Sequence, residues 1–160
     1  MDEIKPDVIR GNISEIKTLA LGSGTTKGVD ADAADVVTED NLESMIEFAK
    51  AFSAKSGAVI AITGAIDLVA DSKKCYVIRN GSPMMSRITG TGCMLGAVCA
   101  TFMTTLSPLE AAVSSCIYFG ICGEMAETKS GNGSFMVNLM DKISTLGSEE
   151  ILKHMNMEEK

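Results

Sequence analysis

Ala58-Val59-Ile60-Ala61-Ile62 is the stretch that decides the fold. A continuous apolar, β-branched run closed by Thr63-Gly64 is the pattern of a strand covered on both faces. Upstream, Thr38 to Lys55 carries Leu42, Met45, Ile46, Ala49 and Phe52 on one stripe, the spacing of an amphipathic helix capped by Thr38 or Asp40 and ended by Gly57. Further back, Asp7 to Arg10 is a short β-type run after Pro6. Asn12 then suits an N-cap, with Glu15 at N3 as in a capping box. That helix runs to Leu21 and stops at Gly22, and Gly22 to Asp35 reads as a loop.

Downstream of the central run, Asp67 to Asp71 is β-like. Cys75-Tyr76-Val77-Ile78-Arg79 and Pro83-Met84-Met85-Ser86-Arg87 flank Asn80-Gly81, which predicts a hairpin. From Gly92 the pattern is helical to about Thr105. Ser107-Pro108 opens a second buried helix to about Glu127. After Gly131-Asn132-Gly133, Ser134 to Leu146 and Ser148 to Met157 are two more helical stretches. The order predicts an α/β layer fold, with a mixed, mostly parallel sheet, flanking helices and one domain over residues 1–160.

Composition agrees. The 160 residues are 46% apolar and 22% charged, with 14 basic and 21 acidic residues and a net charge of −7. This excludes a disordered or fibrous chain. A domain of this size buries roughly 68–70% of its unfolded surface and needs no disulfide or metal staple. The pI of about 4.7, with no Lys/Arg cluster, argues against nucleic acid as a partner. Cys75, Cys93, Cys99, Cys116 and Cys122 form no CxxC pair and read as reduced thiols of a cytoplasmic protein. The N-terminus has no apolar signal region. Met94 to Leu106 is too short to span a bilayer, so no membrane partner is expected.

Chemistry concentrates at Arg87-Ile88-Thr89-Gly90-Thr91-Gly92-Cys93-Met94-Leu95-Gly96. A strand is expected to end here and a helix to begin. Gly90 and Gly92 let the backbone approach a ligand, and the first-turn N–H groups with the helix dipole make an anion hole for a phosphoryl group. Cys93 falls at the expected helix start, a position that makes a thiol partly thiolate. The other reading is a tight turn with Cys93 as filler, and the residues leave both open. Arg10 and Thr63 end two strands, the place where ligands gather in open α/β sheets. Glu15 is either a ligand or only a capping partner. Gly22 to Gly28 lacks the Gly-Lys-Ser/Thr order of a phosphate loop, so Lys27 reads as a solvated lysine. His154 has no catalytic partner near it in sequence. Zinc-type spacing is missing, and Met94, Met103 and Met125 read as core filler.

Several motifs occur in order: Val8-Ile9-Arg10-Gly11-Asn12-Ile13-Ser14-Glu15-Ile16, Lys27-Gly28-Val29-Asp30, Ala61-Ile62-Thr63-Gly64, Val77-Ile78-Arg79-Asn80-Gly81 and Ile88-Thr89-Gly90-Thr91-Gly92-Cys93. Together they resemble the hydroxyethylthiazole kinase family, which is ribokinase-like. Gly131 to Phe135 is similar to that family's Gly-Pro-Gly-Ser-Phe, with Asn132 in place of proline. The resemblance implies ATP-dependent phosphorylation of 4-methyl-5-(2-hydroxyethyl)thiazole in thiamine biosynthesis or salvage, with ATP and Mg²⁺ as cofactors. By motif it implies that Arg10, Thr63 and Asn12 bind ATP, Glu15 is associated with Mg²⁺, and Gly90 contacts the thiazole. Thr91, Gly92 and Cys93 would be catalytic, their amides forming the anion hole with that of Gly90. Cys93 stands where most ribokinase relatives place an aspartate base, and base and spectator both remain open for it.

The resemblance further implies a homotrimer with sites between subunits. It also implies that the chain is the ATP-binding part of the kinase, with the family's N-terminal strands missing. On that reading, transfer is expected only when a separate chain supplies those strands. The alternative is a non-catalytic nucleotide-binding or assembly module. Thiol redox chemistry at Cys93 is a third reading, without a resolving cysteine to support it.

Overall fold

Strand β2, Val59–Ile62, is buried at all four residues, as its unbroken apolar run requires. The computed structural model describes residues 4–22 and 36–160. Strand β1, Val8–Gly11, lies parallel to β2 with Val8 opposite Val59 and Gly11 opposite Ile62. Strand β3, Asp67–Ala70, runs antiparallel to β2 with Ile60 opposite Ala70. With β4, Cys75–Ile78, and β5, Met157–Glu159, the sheet order is β1-β2-β3-β4-β5. The sheet is therefore mixed, and the fold is α/β.

Backbone contacts group the chain into two compact units, Met1–Val77 with Glu159–Lys160, and Ile78–Glu158. In the first, α1 (Ile13–Leu21) and α2 (Leu42–Ser56) lie in the crossover between the parallel strands. Helix α2 packs on β2 and β3. It buries Leu42, Ile46, Ala49 and Phe52, the predicted stripe, while Met45 is only partly covered. A 3₁₀ turn, Glu39–Asn41, precedes it, capped by Thr38. The chain leaves α2 through Gly57 at φ +75°, a left-handed position that glycine adopts without strain. Ile9, Ile13, Ile16, Ile60, Leu68 and Val77 complete this core.

The second unit is built on α4, Pro108–Met125, eleven of whose residues are buried. Helices α3 (Thr91–Phe102), α5 (Asn132–Thr145) and α6 (Ser148–His154) pack against it. A helix apolar on every side needs neighbours on every side. Pro108 in its first turn and the Ser107–Glu110 capping box set its start. Cys116 and Cys122 are buried filler, as their apolar setting predicts.

Two expectations fail. Pro83 to Arg87 does not form a strand: residues 85–87 are a 3₁₀ turn, so no hairpin closes on Asn80-Gly81 and no strand runs into Thr89-Gly90. The reason is that Asn80 is buried and its amide is used elsewhere. Its Nδ2 donates to Glu124 Oε1 (3.0 Å) and to the His154 carbonyl (2.9 Å), and its Oδ1 accepts from Asn156 N–H (2.8 Å). The C-terminal helix is also shorter than its pattern, ending at His154 before β5. Cys75 and Lys160 exchange both backbone hydrogen bonds, at 3.0 and 2.8 Å, and Arg79 N–H donates to the Asn156 carbonyl at 2.9 Å. The last residues of the chain thus take the antiparallel pairing that the hairpin arm was expected to make.

Candidate functional site

In the first unit the carboxyl ends of β1 and β2 carry four of the predicted residues. Thr63 N–H donates to the Gly11 carbonyl at 2.9 Å, with its hydroxyl 3.4 Å from the same oxygen. Asn12 is the N-cap of α1: its Oδ1 accepts from Glu15 N–H (2.9 Å), and Glu15 Oε2 accepts from Asn12 N–H (2.8 Å). A Cβ on Gly11 would lie 2.8 Å from Glu15 Oε2, so glycine there is what lets the carboxylate fold back over the cap. Arg10, one residue earlier, is half-buried, and among the described residues no ion pair engages its guanidinium. The structure therefore brings Arg10, Asn12, Glu15 and Thr63 to the adjacent ends of two parallel strands, next to a helix N-terminus. This is the place where α/β sheets hold anionic ligands.

The capping role of Glu15 is thus real, and it occupies one carboxylate oxygen. Among the described residues no group of three or more His, Cys, Asp or Glu is placed to hold a metal ion. Among the described residues there is accordingly no dedicated protein cage for a metal. One carboxylate beside a helix N-terminus still fits Mg²⁺, which is commonly held by one or two carboxylates together with substrate phosphates and water.

In the second unit Gly90, at φ +101°, is the N-cap of α3 and has no side-chain cap of its own. Its carbonyl accepts from Met94 N–H at 2.9 Å, closing the first turn over Thr91, Gly92 and Cys93. The N–H groups of that turn have no partner within the helix. The Thr91 hydroxyl points back into the preceding chain, 3.1 Å from the Met85 carbonyl and 3.3 Å from that of Ile88. Thr91 therefore offers a ligand its amide while its hydroxyl braces the turn. Cys93 is exposed, and Cys75, Cys99, Cys116 and Cys122 are buried. Burial pushes the thiols of Cys75 and Cys122 up to about 12 and about 11. At pH 8 a disulfide reagent is expected to titrate one thiol rapidly in the folded protein. Cys93→Ser should abolish that phase, and a fast phase of two or more thiols would contradict the burial.

Of the remaining candidates, Lys27-Gly28-Val29-Asp30 lies outside the described residues. The ring of His154 sits in the exposed last turn of α6, and only its carbonyl is used by Asn80. Sequence reasoning missed the face of α4 that meets residues 80–85. Gly120 and Gly123 leave room for Asn80 and Met85, and Glu124 accepts from Gly81 N–H at 2.8 Å. The available signal was Gly-x-x-Gly-Glu within a buried helix, two glycines on one face.

Among the described residues no helix is long and apolar enough to cross a membrane. Residues 1–149 match the family model described as the hydroxyethylthiazole kinase family. A hydroxyethylthiazole kinase of Clostridium acetobutylicum is 53% identical over 157 residues, covering 94% of this chain and 58% of that protein. Hydroxyethylthiazole kinase 1 of Methanosphaera stadtmanae is 41% identical over 159 residues, covering 92% of this chain and 56% of its own length. The solved hydroxyethylthiazole kinase protein of Pyrococcus horikoshii superposes with a TM-score of 0.81 at 30% identity, over 96% of this chain and 55% of that one. The chain thus spans little more than half the length of the relatives it matches. A family model that runs through both candidate regions, together with a relative of this identity, decides the assignment: the chain belongs to the hydroxyethylthiazole kinase family.

Proposed function

We propose that this chain serves the ATP-dependent phosphorylation of the hydroxyethyl group of 4-methyl-5-(2-hydroxyethyl)thiazole, a step of thiamine biosynthesis or salvage. The observation that carries the reading is the 53% identity to a kinase of that name. It is supported by Arg10, Asn12 and Thr63 at the ends of two parallel strands.

Arg10 offers a charge to nucleotide phosphates, Thr63 a hydroxyl and Asn12 the start of α1. Glu15 would hold Mg²⁺, which would neutralise negative charge on a phosphoryl group. In the second unit Gly90 contacts the thiazole. The amides of Thr91, Gly92 and Cys93 stabilise negative charge on a phosphoryl group, the main requirement of this chemistry. On this reading the Cys93 sulfur, exposed in that turn, takes the alcohol proton when it is present as thiolate. The working form is a homotrimer in the cytoplasm, with the thiazole alcohol as its partner and neither nucleic acid nor membrane. A non-catalytic nucleotide-binding module is not favoured, since the relatives are named as kinases.

The test is ADP release with Mg-ATP and the thiazole alcohol, run beside calorimetric titration with Mg-ATP. Nucleotide binding is expected from this chain, with turnover that depends on the alcohol once a second chain supplies the part of the relatives' length that this one does not cover; absence of both would sink the reading. Arg10→Ala should weaken Mg-ATP binding roughly ten- to a hundredfold, as loss of a charged hydrogen bond does, with the melting temperature nearly unchanged. Unchanged affinity would return Arg10 to a structural role.

A further inference from the structure

The turn that opens α3 is held from α4. Gly120, Gly123, Glu124 and Glu127 follow one another at i, i+3, i+4 and i+7, and the segment from Asn80 to Met85 lies along them. A Cβ on Gly120 would approach the Asn80 carbonyl oxygen to 2.7 Å. A Cβ on Gly123 would overlap the Met85 sulfur and come within 3.0 Å of its Cγ. Glu124 Oε1 accepts from Gly81 N–H at 2.8 Å, and Glu127 Oε1 accepts from the Ser82 hydroxyl at 2.7 Å. Met85, so seated, presents its carbonyl to the Thr91 hydroxyl at 3.1 Å. Thr91 is the first residue of α3, and its amide opens the turn.

We propose that Thr91 and Met85 are positioning residues: the Thr91 hydroxyl ties the first turn of α3 to the Met85 carbonyl, and Met85 is seated against the bare Gly123 of α4. The amides of Thr91, Gly92 and Cys93 are thereby held in one direction. The physical reason is that Gly90 brings no side-chain cap, so the turn has no brace of its own. A loose helix start presents its N–H groups over a spread of directions, and anion stabilisation falls as preorganisation is lost. The consequence for phosphoryl transfer rests on the function proposed above; the mechanical coupling does not.

Amide hydrogen exchange tests the coupling at Met94, whose N–H donates to the Gly90 carbonyl at 2.9 Å and so reports closure of the turn. Thr91→Val removes the hydroxyl with little change of shape, and should speed Met94 exchange roughly tenfold. Thr91→Ser retains the hydroxyl and should stay within about twofold of the parent. Gly123→Ala displaces Met85 and should resemble Thr91→Val. Exchange at Ile117 and Phe119 in α4 should be unaltered in all three. Mg-ATP affinity, measured in parallel, should fall with Thr91→Val and recover with Thr91→Ser. Met94 exchange indifferent to Thr91→Val, a serine variant as fast as valine, or α4 amides accelerating equally would each overturn the proposal. Should the parent protein bind no Mg-ATP, the proposed function fails, while the exchange data still decide the positioning role.

Discussion

Asn80→Ala is expected to remove about 3 kcal/mol of folding stability, seen as a lowered urea midpoint at unchanged slope. Asn80 is 7% exposed. Its truncation deprives Glu124 Oε1 of one donor and leaves the His154 carbonyl and the Asn156 N–H without their partner. Orphaned polar groups of this kind cost about 1–3 kcal/mol each when buried and less where water reaches them. An Asn in an exposed hairpin turn would behave differently, since surface substitutions away from special features stay within about 0.5 kcal/mol. The size of the loss therefore separates the two conformations. Asn80→Asp sharpens the comparison, because it replaces the amide that donates to Glu124 with a second carboxylate. It should be as harmful near neutral pH and partly relieved under acid. A midpoint shift of only a few tenths for Asn80→Ala would show that the node does not hold residues 80–82 to α4.

The second large effect is alkaline. Folding stability should fall by roughly 5 kcal/mol between about pH 9 and 11, a sizeable part of the 5–15 kcal/mol typical of domains. Burial holds the Cys75 thiol up at about 12 and the Cys122 thiol at about 11, against an ordinary value of 9.0. The sign follows from where the protons go. Below pH 9 both the folded and the unfolded chain carry the protons, and the thiols give no pH dependence. Above it the unfolded chain releases them while the folded chain keeps them, so each thiol costs about 1.4 kcal/mol per pH unit. For Cys122 the loss levels off near 11; for Cys75 it continues to about 12. Tyr118, its hydroxyl donating to the Ile143 carbonyl at 2.6 Å, is raised by burial and acts in the same direction at higher pH. Urea midpoints at intervals from pH 8 to 10.5 measure the slope, and Cys75→Ala should remove about half of it. A flat profile through pH 10.5 would mean that both thiols reach water in the folded protein.

Much of the fold was legible because it rests on neighbours in sequence. The β-branched run of β2, the capping box at Asn12, the stop at Gly57 and Pro108 in the first turn of α4 are local effects of shape and backbone hydrogen bonding. No other part of the chain is needed to decide them. Asn80-Gly81 misled because its turn preference is also local, and it lost to partners 44 and 76 residues away. Each of those bonds satisfies a group that burial would otherwise leave unpaired. The same rule governs the C-terminus, where a helical pattern gives way to β5 because an open strand edge has backbone groups to satisfy.

The candidate site divides along the same line. Residue type and order determined the family resemblance, the two strand ends with Arg10 and Thr63, and the glycines at the start of α3. The pairing of Thr63 with Gly11 across 52 residues, the direction of the Thr91 hydroxyl and the exposure of Cys93 alone among the cysteines were decided only by tertiary structure. The reason is physical: a side chain's propensity belongs to its own few residues, whereas its burial and its hydrogen-bond partner belong to whatever the folded chain brings against it.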